Sequence, residues 1–384
     1  MKKHTITVNN IPMGNSRSTV TQSNHNPPSQ VQIIQVSICT LEEVSEKQVH
    51  FDSQEKSVKV NSQEKSVQLD PQETLVKDDT QEKSVKGDPQ EKTVDVTPQE
   101  NPDAFDLTKL TQPISISHAK PGNTICGNDH VLLLQDGSTT IEFRIPPKFQ
   151  SKCIPWNYGL IRDIIWCSNL NIFILLTRDS LLSISPEGAI VPAKTTTKSL
   201  DDFKIHKYPT VKPYDSSVVF WRCTCIGTSL FITYSGFGTV IDEYSMRANS
   251  CKIVNRYMPP NTCAVYEGIW CIRSLESRNQ LGLTIMDARN NQWRVELRNG
   301  DDCTIVWKMV LPIQFGDCEL TILPNEEWLI VNSCGIRLIQ IANQKIKAGV
   351  EYERELRNAV AIGKSYFAIR TKSTVEIHRV KQLK

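Results

Sequence analysis

The chain has 384 residues, 39% hydrophobic and 22% charged, with a formal net charge of +2 at pH 7. This balance argues against a nucleic-acid binder, which needs clustered basic residues, and no stretch approaches the roughly 20 apolar residues of a membrane span. The charge is unevenly divided. Residues 1–106 hold 11 Lys and Arg against 17 Asp and Glu, a net of −6, and the remainder holds 33 against 25, a net of +8.

The first of these two regions is dominated by a nine-residue repeat that begins "SQEKSVKVN" at Ser53 and extends with worn copies over residues 44–106. Each copy offers one dependable apolar residue, a valine. Nine residues make about two and a half helical turns, so successive valines face opposite sides of a helix. An odd period also alternates them across a strand. Without an apolar face the segment cannot offset the entropy of ordering. We therefore predict that residues 1–106 form a disordered, low-complexity tail.

Three residues of the tail, Ser53, Ser62 and Thr80, each precede a glutamine. They resemble a cluster of SQ/TQ phosphorylation sites, where phosphate would add negative charge to an acidic segment. The alternative is that one short phrase was copied several times, so that the three sites are not independent. We favour this second interpretation.

From about residue 120 onward, short apolar strands alternate with turn residues. One unit reads "IRDIIWCSNLNIFILLTRDSLLSISP" from Ile161, and it has the form strand, turn, strand, turn, strand. The same form starts again near Thr124, Trp221, Gly268, Leu320 and Ala359. The region therefore contains six copies of one β unit.

Within each copy the middle strand is the most apolar, as in "NIFILLT", which predicts a strand covered on both faces. The third strand alternates, with Ile141, Phe143 and Ile145 set against Glu142 and Arg144. Alternation predicts one buried and one wetter face. By the same reasoning His378, which alternates with Val375 and Ile377, is expected on a wetter face.

The middle strands recur at about the 40–50-residue period of a propeller blade, and the polar stretches between copies leave room for a fourth, outer strand. We predict an all-β, six-bladed β-propeller over residues 107–384, with seven blades as the alternative. "QPISISHA" (112–119) is expected to supply the outer strand that the last copy lacks, which would close the ring. The long gap 193–214 is expected to be an inserted surface loop.

The unit from Ile161 resembles a degenerate WD40-type repeat. Trp166, Cys167 and Ser168 fall where that family often has Trp-Ser-Pro before the first turn. The resemblance covers about residues 110–384 as a pattern of strands, and it implies the propeller fold.

Chemical motifs are absent from the sequence, which has no nucleophile elbow, Walker loop, dinucleotide fingerprint or HExxH helix. The twelve cysteines include no CxxC pair, so we expect reduced core thiols and no zinc site. No N-glycosylation sequon is present. These features favour a cytoplasmic or nuclear protein that carries no cofactor or metal.

Aligning the copies places six charged residues near one end of the innermost strands, at the mouth of the central channel: Arg162, Asp163, Arg222, Glu267, Glu319 and Arg357. Because the set mixes both signs, we expect ion pairs between blades, with contact to a partner as the functional alternative. Trp156, Tyr158 and Tyr208 lie between predicted strands and are either packed between blades or exposed as anchors.

The favoured function is a monomeric protein-interaction scaffold, because a rigid disc can carry recognition in its loops without catalytic residues. Two alternatives remain open. One is an enzyme or small-molecule binder that uses the central channel. The other is a nucleic-acid-associated propeller whose basic body is screened by the acidic tail.

Overall fold

The computed structural model of the chain describes Phe105 and residues 107–110, 112–120, 122, 124–186, 204–247, 250–313, 316–334 and 337–380. The nine-residue repeats and the three sites Ser53, Ser62 and Thr80 lie outside the described residues. The expectation of a tail that ends at residue 106 therefore concerns a part of the chain about which the structure says nothing, apart from Phe105.

The described residues form twenty-four strands in six antiparallel sheets of four strands each. Blade 1 contains β2 (Ile125–Gly127), β3 (Leu132–Gln135), β4 (Thr140–Ile145) and β5 (Gln150–Pro155). Blade 2 contains β6 (Ile161–Cys167), β7 (Ile172–Thr177), β8 (Leu181–Ile184) and β9 (Ile205–Lys207). Blade 3 contains β10 (Phe220–Ile226), β11 (Ser229–Tyr234), β12 (Ile241–Arg247) and β13 (Ser250–Tyr257). Blade 4 contains β14 (Glu267–Leu275), β15 (Gln280–Asp287), β16 (Gln292–Asn299) and β17 (Ile305–Val310). Blade 5 contains β18 (Cys318–Ile322), β19 (Trp328–Asn332), β20 (Arg337–Ala342) and β21 (Lys345–Glu351). Blade 6 contains β22 (Leu356–Ile362), β23 (Tyr366–Thr371), β24 (Thr374–Arg379) and β1 (Ser115–His118). Two short 3₁₀ turns, Leu107–Lys109 and Glu276–Arg278, complete the described secondary structure.

The sheets are arranged as the blades of a closed ring, because the first strand of each blade packs against the first strand of the next, and β22 packs against β2. The prediction of six blades is confirmed. Each inner strand begins at one face of the ring, which we call the entry face, and ends at the opposite, exit face. Connections between blades and turns between second and third strands lie at the entry face. The other hairpins lie at the exit face.

The ring is closed by pairing between the two ends of the propeller sequence. Strand β1 pairs antiparallel with β24, from Ser115 opposite Ile377 to His118 opposite Thr374, so "QPISISHA" supplies the outer strand of blade 6 as predicted. Just before β1, Phe105 and Leu107 are buried beside blades 5 and 6, with the Phe105 ring 5.7 Å from that of Phe367. Ordered packing therefore begins before residue 107, where the sequence analysis placed the start of the propeller.

Two details of the sequence analysis are wrong. Glu142 and Arg144 are buried, and they form a 2.9 Å ion pair instead of facing water. His378 is also buried and contacts the Tyr352 hydroxyl at 3.2 Å. The third strands have two covered faces because neighbouring blades pack on both sides of each sheet. Alternation of polarity therefore marks where buried polar networks lie between blades.

The long gap before blade 3 is also not simply an inserted loop. Three of its residues, Ile205–Lys207, pair with β8 as the outer strand of blade 2. A three-residue strand with one histidine and one lysine carries little apolar pattern, and for this reason the sequence did not reveal it.

The core lies between the blades, where apolar side chains of one sheet interdigitate with those of the next. At the interface of blades 4 and 5 the backbone of Gly282 lies against Trp328, so that a Cβ at this position would come within 2.6 Å of the indole ring. Within the described part of the chain, no helix has the length and apolarity needed to cross a membrane.

Candidate functional site: the entry face

Four of the six inner strands carry a β-bulge near their first residue, at the entry face. The irregularities lie between Ile161 and Asp163 in β6, Phe220 and Cys223 in β10, Ile269 and Cys271 in β14, and Leu356 and Asn358 in β22. The residues skipped by the regular pairing are large: Arg162, Trp221 with Arg222, Trp270 and Arg357. A bulge leaves such residues outside the ladder and redirects their side chains. The mouth of the channel is therefore lined by arginine and tryptophan.

One ion pair spans the channel between blades that are not adjacent. The Arg222 guanidinium of blade 3 contacts the Glu319 carboxylate of blade 5, passing blade 4, and both side chains are buried. Arg222 also donates to the backbone carbonyl of Arg162 at 2.9 Å. Because blades 3 and 5 are not adjacent in the ring, this contact crosses the lumen.

A second ion pair also crosses the lumen, between blades 4 and 2. Arg273 donates to both carboxylate oxygens of Asp163 at 2.8 Å. The same carboxylate accepts the backbone N–H of Cys223 at 2.9 Å, so it joins blades 2, 3 and 4. Bidentate Arg–carboxylate pairs fix geometry as well as charge. The two pairs therefore tie four blades together across the lumen.

The electrostatics of these pairs follow from their burial. Burial by itself would raise the pKa of the Glu319 carboxyl, but the Arg222 guanidinium outweighs that effect and holds the pKa below its usual value of 4.5. The reverse balance raises the pKa of Arg222. At the mouth, burial and the nearby Glu319 charge raise the pKa of Asp317. The Arg222–Glu319 pair is thus charged on both sides near neutral pH.

The structure brings Arg162, Asp163, Arg222 and Glu319 together, but it separates the other two residues of the predicted set. Glu267 pairs with Arg294 of its own blade and accepts the backbone N–H of Ala264 at 2.8 Å. Arg357 pairs with Glu355, 2.5 Å away in the preceding connection. The predicted six are therefore not one cluster.

Aromatic side chains extend the arginine cluster on the side of blades 3 and 4. The Trp221 ring lies under the Arg222 guanidinium at 4.4 Å and near that of Arg162 at 5.7 Å. Its indole N–H donates to the backbone carbonyl of Trp270 at 2.7 Å, and the two rings meet edge to face. Cation–π stacking and this hydrogen bond hold the mouth in a single arrangement.

Exposed apolar side chains stand on three successive blade junctions of the entry face and on the hairpin between β11 and β12. We call this set the entry-face arc: Tyr158, Leu160, Tyr214, Phe237 and Val265. Val265 is 76% exposed and Phe237 is 42% exposed. Neither residues 156–160, 235–240 nor 258–266 contain a charged residue. Only the loop of Tyr214 carries charge, from Lys212 and Asp215. The rest of the arc is an apolar surface without the charges that normally cover a loop.

Two of the three aromatic rings of the arc are braced by buried neighbours. The Tyr158 ring lies 4.9 Å from that of Trp156, and the Tyr214 ring lies 4.7 Å from that of Tyr234, edge to face. Of the three aromatics proposed as possible anchors, Trp156 and Tyr208 are buried and only Tyr158 is exposed. Rings that are already held lose little side-chain entropy on binding.

Sequence reasoning overlooked Trp221, Arg273 and most of the arc. A signal for the mouth was present, because an Arg or Trp follows the first apolar residue of the inner strand in "IRDI", "FWRC", "GIWC" and "LRNA". The arc has no such signature, since single apolar residues in turns are common on protein surfaces. Among the described residues, no three His, Cys, Asp or Glu side chains are grouped as metal ligands would be.

Comparison with known proteins identifies related folds only. No protein-family profile matches the chain, and no curated protein matches its sequence. Among solved structures, a chain of the mitotic checkpoint complex is 9% identical, with a TM-score of 0.46 over 78% of this chain and 99% of that chain. Luciferin-regenerating enzyme is 11% identical, with a TM-score of 0.48 over 69% and 92%.

The β-propeller domain of Myceliophteria thermophila Cps50 (Swd1) is 10% identical, with a TM-score of 0.44 over 67% of this chain and 83% of that domain. At these identities the similarity does not extend to function. The chain itself folds as a six-bladed propeller, which is the fold that the WD40-type pattern implied.

Proposed function

We propose that this protein is a protein-interaction scaffold that binds its partner through the entry-face arc. The observation that carries the proposal is the contrast between two features of one face. The centre is crossed by two buried ion pairs, and the surrounding loops present exposed apolar side chains. Aromatic anchors of this kind provide most of the affinity at protein interfaces.

The channel-enzyme alternative receives less support from this geometry. A reaction site in a channel needs open volume with converging polar groups. Here the converging groups, Asp163 with Arg273 and Glu319 with Arg222, neutralise each other. The nucleic-acid alternative needs a continuous basic face, whereas the loops of the arc carry a single basic residue, Lys212.

We propose that the protein acts as a monomer in the cytoplasm. The eleven cysteines of the described residues are all free, and nine of them are buried. Buried thiols that form no disulfide are typical of a reducing compartment. Closure of the ring by β1 also leaves the fold complete within one chain.

The proposal is tested with a double variant of the full chain, Phe237→Ser with Val265→Ser, and a matched variant that removes equally exposed apolar residues from the outer rim, Val254→Ser with Ile305→Ser. Substituting exposed residues leaves the core intact. Once a partner is identified, we expect the arc variant to weaken binding at least about tenfold. The rim variant should bind like the wild type. Equal weakening by both variants would contradict the assignment.

A further inference from the structure

A groove of about 420 Å³ lies at the exit face, between blades 4 and 5. Three hairpins form it: the turn before β15, the turn before β19 and the turn between β20 and β21. Eleven residues line it, among them Arg278, Glu326, Leu297, Trp328 and Ile341. This groove lies on the face opposite the entry-face arc and shares no residue with it.

The floor and the walls of the groove differ in chemistry. Leu297, Trp328 and Ile341 are buried and form an apolar floor. The walls carry four side-chain amides, those of Gln280, Asn325, Asn343 and Gln344. Seven of the eleven lining residues are polar or charged, so polar contacts would dominate recognition above a small apolar floor. The volume is near the lower end of the range for small-molecule sites, about 300–1,000 Å³.

Two polar atoms of the lining lack a hydrogen-bond partner among the described residues. They are the indole N–H of Trp328, a donor, and the side-chain carbonyl oxygen of Asn325, an acceptor. Both atoms are buried, and Trp328 is only 4% exposed. Buried polar groups are normally paired. Neither atom is exposed to the groove, so the ligand contacts described below do not involve them.

Opposite charges stand on the two walls. Arg278 of blade 4 and Glu326 of blade 5 approach to 3.8 Å, and their side chains are 53% and 49% exposed. A long, exposed ion pair contributes little to stability, so both groups can turn to a ligand at small cost. Glu327, in contrast, is already held by Lys347 at 2.9 Å and by Gln340.

We propose that this groove binds a free α-amino acid with an apolar side chain. The ligand's carboxylate would pair with the Arg278 guanidinium, and its ammonium group would pair with Glu326. Arginine suits the first role because its planar fork matches a carboxylate. The apolar side chain would lie on the floor formed by Leu297, Trp328 and Ile341. A zwitterion satisfies both walls at once, as neither an anion nor a cation does.

The experiment measures binding of L-leucine and L-phenylalanine to the full chain by isothermal titration calorimetry, supported by the shift in thermal melting. We expect saturable binding and a higher melting temperature. Leucinamide lacks the carboxylate and N-acetyl-leucine lacks the ammonium group, so each should bind at least about tenfold more weakly. L-Glutamate should bind more weakly than leucine, because its side chain would bury a charge on the apolar floor.

Variants locate the site. Arg278→Gln and Glu326→Gln should each weaken leucine binding at least about tenfold. Arg337→Gln is the matched control, because Arg337 forms a similar exposed pair with Glu351 at 3.3 Å on the outer part of blade 5. It should leave binding unchanged. The substitutions remove exposed groups, and an unchanged melting temperature without ligand will show that the fold is intact.

Three results would overturn the proposal. One is the absence of saturable binding by leucine or phenylalanine up to about 10 mM, a concentration at which even a weak site is occupied. The second is binding that Arg278→Gln and Glu326→Gln leave unchanged. Binding of short peptides without binding of free amino acids would also contradict it, since the site would then recognise a partner protein. None of these outcomes depends on the entry-face arc.

Discussion

The buried pair of Arg222 and Glu319 offers the sharpest test of how the channel is held. Both side chains are less than a tenth exposed, and removing one member of a buried pair costs about 3–5 kcal/mol because the other charge is left uncompensated. The loss of stability for Arg222→Met should lie near the upper end of this range, because the Glu319 carboxylate would remain buried in the lumen without a partner. Glu319→Gln should be near 3 kcal/mol, because Arg222 keeps the carbonyls of Arg162 and Trp221.

The double variant separates pairing from packing. When both charges are removed no stranded ion remains, so the cost should be smaller than the sum of the two single costs by about 2–3 kcal/mol. The assay is denaturant unfolding of the full chain, followed by intrinsic fluorescence. Arg337→Met, at an exposed pair, is the control and should cost about 0–1 kcal/mol. Single costs no larger than the control, or strict additivity, would refute the account of a channel held by buried charge.

Three further predictions follow from the described contacts. Glu319 has a depressed pKa in the folded protein, so its contribution to stability is complete above about pH 4.5 and is lost as the pH falls through the lower folded value. The free energy of unfolding of Glu319→Gln should therefore depend less on pH in this range than that of the wild type. An equal pH dependence of the two proteins would contradict this reasoning. Gly282→Ala should cost about 1–3 kcal/mol by overpacking against Trp328. Gly349→Ala should be nearly neutral, because no atom lies within 4 Å of the new Cβ. Similar melting temperatures for the two variants would argue against the packing between blades 4 and 5. Ser117→Pro should destabilise the ring by at least about 1 kcal/mol more than Ile116→Pro. The Ala119 N–H donates to the Ser373 carbonyl at 2.9 Å, and by alternation the Ser117 N–H also points toward β24. Equal effects of the two variants on thermal unfolding would contradict the closure of the ring by β1.

Much of the fold was accessible from the sequence because its evidence is local and repeated. The apolar middle strands such as "NIFILLT" became β7 and its equivalents, and the leftover strand before the first copy had one obvious partner in β24. What failed was the inference about faces. Glu142, Arg144 and His378 alternate with apolar residues as exposed residues would, and only the neighbouring blades decide that they are buried.

The candidate site was less accessible. Aligning the copies found Arg162, Asp163, Arg222 and Glu319, but it could not show that Arg222 passes one whole blade to reach Glu319. That contact depends on the diameter of the ring and on the bulge that frees Arg222 from the ladder. The groove at the exit face involves turns from two blades, and no spacing within a single repeat reveals it.

The central claim is that the entry-face arc is the surface through which this protein binds another. The most direct measurement is quantitative affinity purification of the full chain, comparing the wild type, the arc variant Phe237→Ser with Val265→Ser, and the rim variant Val254→Ser with Ile305→Ser, after nuclease treatment. The account predicts partners that the wild type and the rim variant retain and the arc variant loses. Partners retained equally by all three proteins would contradict it.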